Sequence, residues 1–266
     1  MTGLAILTFF VALAIASPLL VRPEDLDPAL ANLPPHAPPS AQAWLGTDNF
    51  GRSVVDLLIA GARVSLLVGI TAALGAMLIG AVVGISSGYF GGTKVDTLLN
   101  AFTNWFLVIP WLALAIALAT ILGASLVNVI LVIAITSWAS TARLVRAQAL
   151  SVRERPYIER SRALGGTNWH TVTRHVLPNV FPVLFANTIL MVGLAILAET
   201  TLAILGLSAG ISWGRTIEAA FTGGAMTAGW WWWLIPPGIC IVLVTLAFTM
   251  IGFALDEILS PRLRRR

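Results

Sequence analysis

Long apolar runs dominate the chain, and its polar residues are gathered between them. The runs near Gly3–Val21, Val64–Ser86, Leu98–Leu122, Val127–Ala142, Val180–Leu207 and Trp231–Leu255 each approach or exceed the roughly 20 residues that cross a bilayer core as helix. The strict alternation of apolar and polar residues that marks a transmembrane barrel is absent. The pattern predicts an all-α integral membrane protein with six transmembrane helices. Between the first two runs, the prolines of "LPPHAPPS" (Leu33–Ser40) predict an extended, solvated path. "LGTDNFGRS" (Leu45–Ser53) supplies turn residues, and "VVDLLIAGARVSLL" reads as a weakly amphipathic helix entering the second span. Pro110 in "FLVIPWLAL" removes a backbone hydrogen bond and predicts a kink in the third. "SAGISWGRTIEAAFTGGAMTAGW" (Ser208–Trp230) is too polar and glycine-rich to span but long enough for a surface helix. Trp230–Trp233 follow it, and tryptophans favour the membrane–water boundary, so they are expected to form an anchoring belt.

Composition agrees with the pattern. The 266 residues are 58% hydrophobic and 11% charged, with a mean hydropathy of +0.89, against about 45–50% and about 25% for soluble domains. The net charge of +4 changes meaning once the spans are drawn. Of 16 Lys and Arg, only Arg22, Arg52, Arg63 and Arg215 fall on one side; the rest fall on the other. Basic residues near span ends stay cytoplasmic, which places both termini inside and makes the basicity a matter of topology, not of nucleic-acid binding. The first run also carries a signal-like "FVALAIASP" with small residues at Ala14 and Ala16, but residues 1–8 lack Lys and Arg, so a retained helix is expected. The single Cys240 permits no intrachain disulfide. In the second span Gly80, Gly84 and Gly88 recur every four residues, a spacing that lets helix backbones approach closely in lipid; packing within the chain and a face for a partner subunit are both open.

One polar segment breaks the pattern. In "YIERSRALGGTNWHTVTRHVLPN" (Tyr157–Asn179), Pro156 suits a first helical turn. Tyr157, Ser161 and Leu164 share one helical face. Gly165 and Gly166 end that helix, and Thr167 or Asn168 caps the next, whose apolar stripe would be Trp169, Val172 and Val176. The segment reads as a cytoplasmic helix–turn–helix bracket between the fourth and fifth spans, built to fit a soluble partner. A solvated basic loop would explain its arginines but not the paired-glycine stop. A metal site on His170 and His175 lacks a third ligand at useful spacing.

The bracket resembles the EAA motif of permease subunits in bacterial ABC importers: Glu159-Arg160-Ser161, then Gly165, then "HVLP" at His175–Pro178. Arg160 and Ser161 stand where the motif has alanines. "LGTDNFGRSVVDLLIAGARVSLLVG" (Leu45–Gly69), "ILAETTLAILGL" (Ile196–Leu207), "SWG" (Ser212–Gly214) and "DEILSPRLR" (Asp256–Arg264) are similar to the second permease of dipeptide and oligopeptide importers. The resemblance implies a type I ABC importer permease fold and a heterodimer with a related permease. It also implies two ATP-binding subunits holding ATP and Mg, an extracytoplasmic substrate-binding protein, and a site in the inner membrane. Its coupling segment would be 147–178, with Tyr157, Glu159, Arg160, Ser161, Ala163, Leu164, Gly165, Gly166, Leu177 and Pro178 meeting the ATPase. The implied division is a first helix at 1–21, an external segment at 22–63, a permease core at 64–258 and a basic tail at 259–266.

The chain itself should hydrolyse nothing and bind no cofactor. A phosphate-cradling G-x-x-x-x-G-K-[ST] loop needs a lysine, and the only one, Lys94, lies between Thr93 and Val95. Glu199 alone sits deep in a span, and such a carboxylate is a functional candidate by default, here for the substrate pathway. The alternatives are the same complex carrying haem, glutathione or a nickel complex, and, more remotely, a proton-coupled transporter using Glu199.

Overall fold

The computed structural model describes residues 1–259, so nearly all of the expected basic tail lies outside the described residues. The described chain is helical: α1 (Thr2–Leu20), α2 (Val54–Tyr89), α3 (Lys94–Val108), α4 (Trp111–Leu122), α5 (Leu126–Arg153), α6 (Pro156–Ala163), α7 (Asn168–Thr171), α8 (Leu177–Ile204), α9 (Trp213–Thr222), α10 (Ala225–Ala228) and α11 (Trp231–Leu259). Five helical stretches among the described residues are long and apolar enough to cross a membrane, and a sixth span results if α3 and α4 count together. At about 1.5 Å per residue the 36 residues of α2 reach well past a hydrocarbon core of about 30 Å.

The third span departs most from expectation. It is two helices bent by 90°, not one kinked helix. Pro110 has no N–H to give and forces the residue before it out of the helical region; Ile109 accordingly sits at φ −69°, ψ 128°, and α4 starts afresh at Trp111.

The Cα packing divides the chain into two compact units. One comprises Met1–Thr71, Leu118–Ile130 and Val192–Met250, and the other Ala72–Ala117, Leu131–Met191 and the chain from Ile251. In the first, Trp213 is fully buried. Its indole N–H donates to the Leu58 carbonyl at 2.9 Å, its backbone N–H donates to Ser65 Oγ at 3.2 Å, and Phe10 meets its ring edge-on at 5.4 Å.

In the proline-rich segment of this unit Pro34, Pro35, Pro38 and Pro39 are exposed, but two residues of the turn that follows are not. Thr47 and Asp48 are completely buried. Thr47 Oγ1 donates to the Pro34 carbonyl and accepts from Ala37 N–H, while Asp48 accepts from the N–H groups of Phe50 and Arg52 and pairs with the Arg52 side chain at 2.7 Å. The tryptophan run packs on the same segment. Trp233 is fully buried and Trp230 stacks on His36 at 3.7 Å, leaving Trp231 as the exposed member. The rings pack on the segment's own polar loop, which a hydropathy profile does not register.

In the second unit the glycine stripe of α2 lies against α5. A Cβ on Gly80 would fall 2.7 Å from Thr141 Cβ, one on Gly84 2.6 Å from the Ala142 carbonyl oxygen, and one on Gly88 2.6 Å from Ala149 Cβ. Of the two readings left open for these glycines, the structure shows the first, close packing within one chain. The same helices are tied by polar groups: Arg146 of α5 forks onto Asp96 of α3 at 2.8 and 2.9 Å, and Ser87 of α2 donates to the same carboxylate at 2.6 Å.

Candidate functional site

The bracket forms as its glycine and proline punctuation dictates. α6 starts at Pro156 in the first turn. At its end Gly166 N–H bonds the Ser161 carbonyl at 2.9 Å and Gly165 N–H bonds the Arg162 carbonyl at 3.0 Å, the paired reach-back of a Schellman cap. The two glycines serve different needs. Gly165 takes φ +83° with open space around it, a conformation other residues resist. At Gly166 a Cβ would lie 2.7 Å from the Ser161 carbonyl oxygen. Thr167 then caps α7, its hydroxyl accepting from His170 N–H at 3.2 Å.

The second arm has no stop at Leu177–Pro178, where the sequence marks an end. It runs through a π turn at Val172–Val176 into α8, giving one helical stretch from Asn168 to Ile204. Pro178 cannot donate to Arg174 and Pro182 cannot donate to Pro178. The wide turn, with Leu177 N–H bonding the Val172 carbonyl, absorbs part of that loss, and Asn179 Nδ2 satisfies the His175 carbonyl at 2.7 Å.

Which faces are buried also differs from the predicted stripes. Ile158, not Tyr157 or Leu164, is the buried anchor of the first arm, and Val176 with half-buried Val172 anchors the second. They join Ile85, Tyr89, Val145, Ala149, Val152, Val180 and Leu184 in one apolar cluster. Trp169 is 77% exposed and Leu164 81%; Glu159, Arg160, Ala163, Leu177 and Pro178 are exposed as well. The outward side is a concavity of about 360 Å³ lined by Tyr157, Arg160, Ser161, Leu164, Gly166, His170 and His175. Eight of the ten predicted bracket residues thus stand exposed, with Ser161 and Gly166 half-buried at the inner wall. An aromatic or apolar side chain of another molecule could lie against Tyr157 and Leu164 while its polar groups meet Arg160 and the histidines.

Two contacts missed in the sequence hold the bracket from behind, and a third ties the end of α5 beside it. The Tyr89 hydroxyl donates to Asn168 Oδ1 at 2.9 Å, the Arg162 guanidinium lies 5.0 Å from the centre of the Tyr89 ring, and Arg153 Nη1 bonds the Gly91 carbonyl. Separations of 62 to 79 residues leave no local signal. Ile158 could have been found, as the one aliphatic residue of an otherwise polar turn.

Glu199 is the other predicted residue. It lies in the first unit, fully buried. Its Oε1 accepts from the hydroxyls of Ser208 at 2.9 Å and Ser212 at 2.7 Å, and Ser212 also accepts from Arg215 N–H to cap α9. Its Oε2 is buried with no hydrogen-bond partner among the described residues.

Apolar spans interrupted by a glycine-capped bracket with an outward concavity describe a multi-pass membrane protein with an exposed, concave polar element. The chain belongs to the family of binding-protein-dependent transport system inner membrane components, whose profile matches residues 76–265. It is 36% identical to the dipeptide transport system permease protein DppC of Alkalihalophilus pseudofirmus over 98% of this chain and 85% of that one. The DppC of Bacillus subtilis is 34% identical over 100% and 82%, and the probable D,D-dipeptide transport system permease protein DdpC of Escherichia coli is 34% identical over 98% and 87%. Among solved structures, inward-facing conformations of the MetNI methionine ABC transporter match with a TM-score of 0.61 at 21% identity, over 77% of this chain and 95% of that one. The chain is therefore a multi-pass membrane permease, and ATP hydrolysis in such systems belongs to separate subunits.

Proposed function

We propose that this chain is the second permease of an importer for dipeptides or oligopeptides in the cytoplasmic membrane, and that Tyr157–Pro178 is the segment its ATP-binding subunits grip. The complex would hold a related permease, two ATP-binding subunits carrying ATP and Mg, and an extracytoplasmic binding protein that delivers substrate. The excess of basic residues on the bracket side supports a topology with both termini in the cytoplasm. The proposed division keeps 1–21 as the first helix, 22–63 as the external segment, 64–258 as the permease core and 259–266 as the tail. Peptide as the cargo rests on the names of the relatives, three of which above are dipeptide permeases.

The observation that carries the reading is the two-sidedness of the bracket. Its inner side is fixed to the bundle by Ile158 and Val176, and its outer side offers Tyr157, Leu164 and Trp169 to solvent. A rigid element so mounted passes the motion of a two-state partner to the helices continuous with it, here α5 and α8. Burial of Glu199 beneath two serine hydroxyls supports a holding role for it rather than contact with substrate. The test is a cysteine cross-link: Leu164→Cys should join the bracket to an ATP-binding subunit in the assembled transporter, with a yield that changes between nucleotide-free and ATP-bound states. Absence of any cross-link in every state refutes the reading.

A further inference from the structure

Tyr89 is the last residue of α2, and three separate parts of the second unit converge on it. From the first arm, Arg162 sets its guanidinium over the ring at 5.0 Å. From the second arm, Asn168 Oδ1 accepts a hydrogen bond from the hydroxyl at 2.9 Å. From the end of α5, Arg153 Nη1 reaches the carbonyls of Tyr89 and Gly91. Tyr89 as a whole is 3% exposed and sits in the cluster that holds Ile158 and Val176. Both arms are joined covalently to α5 and α8, and neither to α2.

We infer that Tyr89 is the joint through which displacement of the bracket reaches α2, a positioning residue for transport that acts through Asn168 and Arg162. This rests on the coupling role proposed above and extends it to a helix outside the bracket's own chain connections. The argument is one of bond type. A hydrogen bond and a cation over a ring face are directional, so they fix the angle of each arm against the tyrosine. Aliphatic contacts such as Ile158 fix its distance but let it slide. The hydroxyl and the ring face are also read by different arms, so a rotation of one against the other must move the side chain or break a contact. Through α2 that motion enters the glycine stripe, where Gly80, Gly84 and Gly88 leave no slack against α5.

The test uses the assembled transporter in liposomes with its binding protein, measuring peptide uptake and ATP hydrolysis in the same preparation. Tyr89→Phe keeps the ring and removes the hydroxyl, and should lower peptide carried per ATP hydrolysed by roughly three- to thirtyfold, the range of couplings carried by such networks. Hydrolysis should stay within about twofold of the parent, since a factor of two is only about 0.4 kcal/mol. Asn168→Ala should match it, the double variant should be no worse than either single one, and Asn168→Asp, which keeps an acceptor, should restore the ratio. The Leu164→Cys cross-link should form equally in the Tyr89→Phe background. Unchanged uptake per ATP with an intact cross-link overturns the joint and leaves the coupling reading standing. Uptake and hydrolysis falling in proportion, or additive losses in the double variant, overturn it too. A cross-link missing from the parent as well removes the coupling reading and the joint together.

Discussion

Replacing Gly84 by alanine adds one methyl group where α2 and α5 touch, and the structure fixes the size of the intrusion. The new Cβ would lie 2.6 Å from the Ala142 carbonyl oxygen and 2.7 Å from Val145 Cβ, whereas ordinary contact begins near 3.4 Å. The helices must part locally by close to 1 Å, a gap that forfeits about a quarter to a half of each dispersion contact it opens. Insertion of one methylene into a packed interior costs about 1–3 kcal/mol. Alanine returns about 0.5–1 kcal/mol of helix propensity over glycine, so the net loss is roughly 0–2.5 kcal/mol. Gly238 of α11 is the control: a Cβ there meets nothing within 4 Å, so Gly238→Ala should gain about 0.5–1 kcal/mol from propensity alone. Unfolding of the purified permease in mixed micelles, followed by fluorescence of its ten tryptophans, reads both. The triple Gly80→Ala, Gly84→Ala, Gly88→Ala variant should lose less than three single losses, because one separation of the helices accommodates all three methyl groups. A Gly84→Ala protein more stable than the parent, or one no worse than Gly238→Ala, refutes the close-packing argument.

Four further outcomes can be measured. Gly165→Val places a β-branched residue at φ +83° in open space, so the cost is backbone strain of about 1–3 kcal/mol; assembly should survive while uptake falls, with Gly165→Asn milder because asparagine tolerates that region, and normal uptake in the valine variant would count against the turn. Glu199→Ala strips the acceptor from Ser208 and Ser212, at about 1–3 kcal/mol for each group left unpaired; lower thermal stability is expected, and a fully stable protein that fails only in transport would restore the pathway role. Asp96→Asn weakens the fork from Arg146 by roughly 1.5–3 kcal/mol, read as earlier unfolding that Ser87→Ala reproduces only in part. Ile158→Ala removes the buried anchor of the first arm at about 2–5 kcal/mol, seen as faster proteolysis of the bracket with the spans still intact.

Legibility followed the range of the interactions. Features set within a turn of chain were readable: the glycine stop of α6, the Thr167 cap, the Asp48 turn and the helix at Trp213–Thr222 all follow from residues within about five positions of one another. The spans were readable because bilayer thickness turns hydropathy into length. The bracket faces were not, since burial of Ile158 depends on α2 and α5 meeting it, and Tyr157 with Leu164 made an equally good stripe on paper. The stacking of Trp230 on His36 was hidden for the same reason: an indole at an interface and an indole against a neighbouring loop have one sequence signature. Pro110 announced a disturbance, but its angle was set by tertiary surroundings.

The π turn at Val172–Val176 packs one residue more than an α-helix of the same length requires. One inserted residue turns a helical face by about 100° around the axis. The side on which Trp169 and His170 stand exposed therefore keeps a heading of its own, offset from the register in which α8 packs.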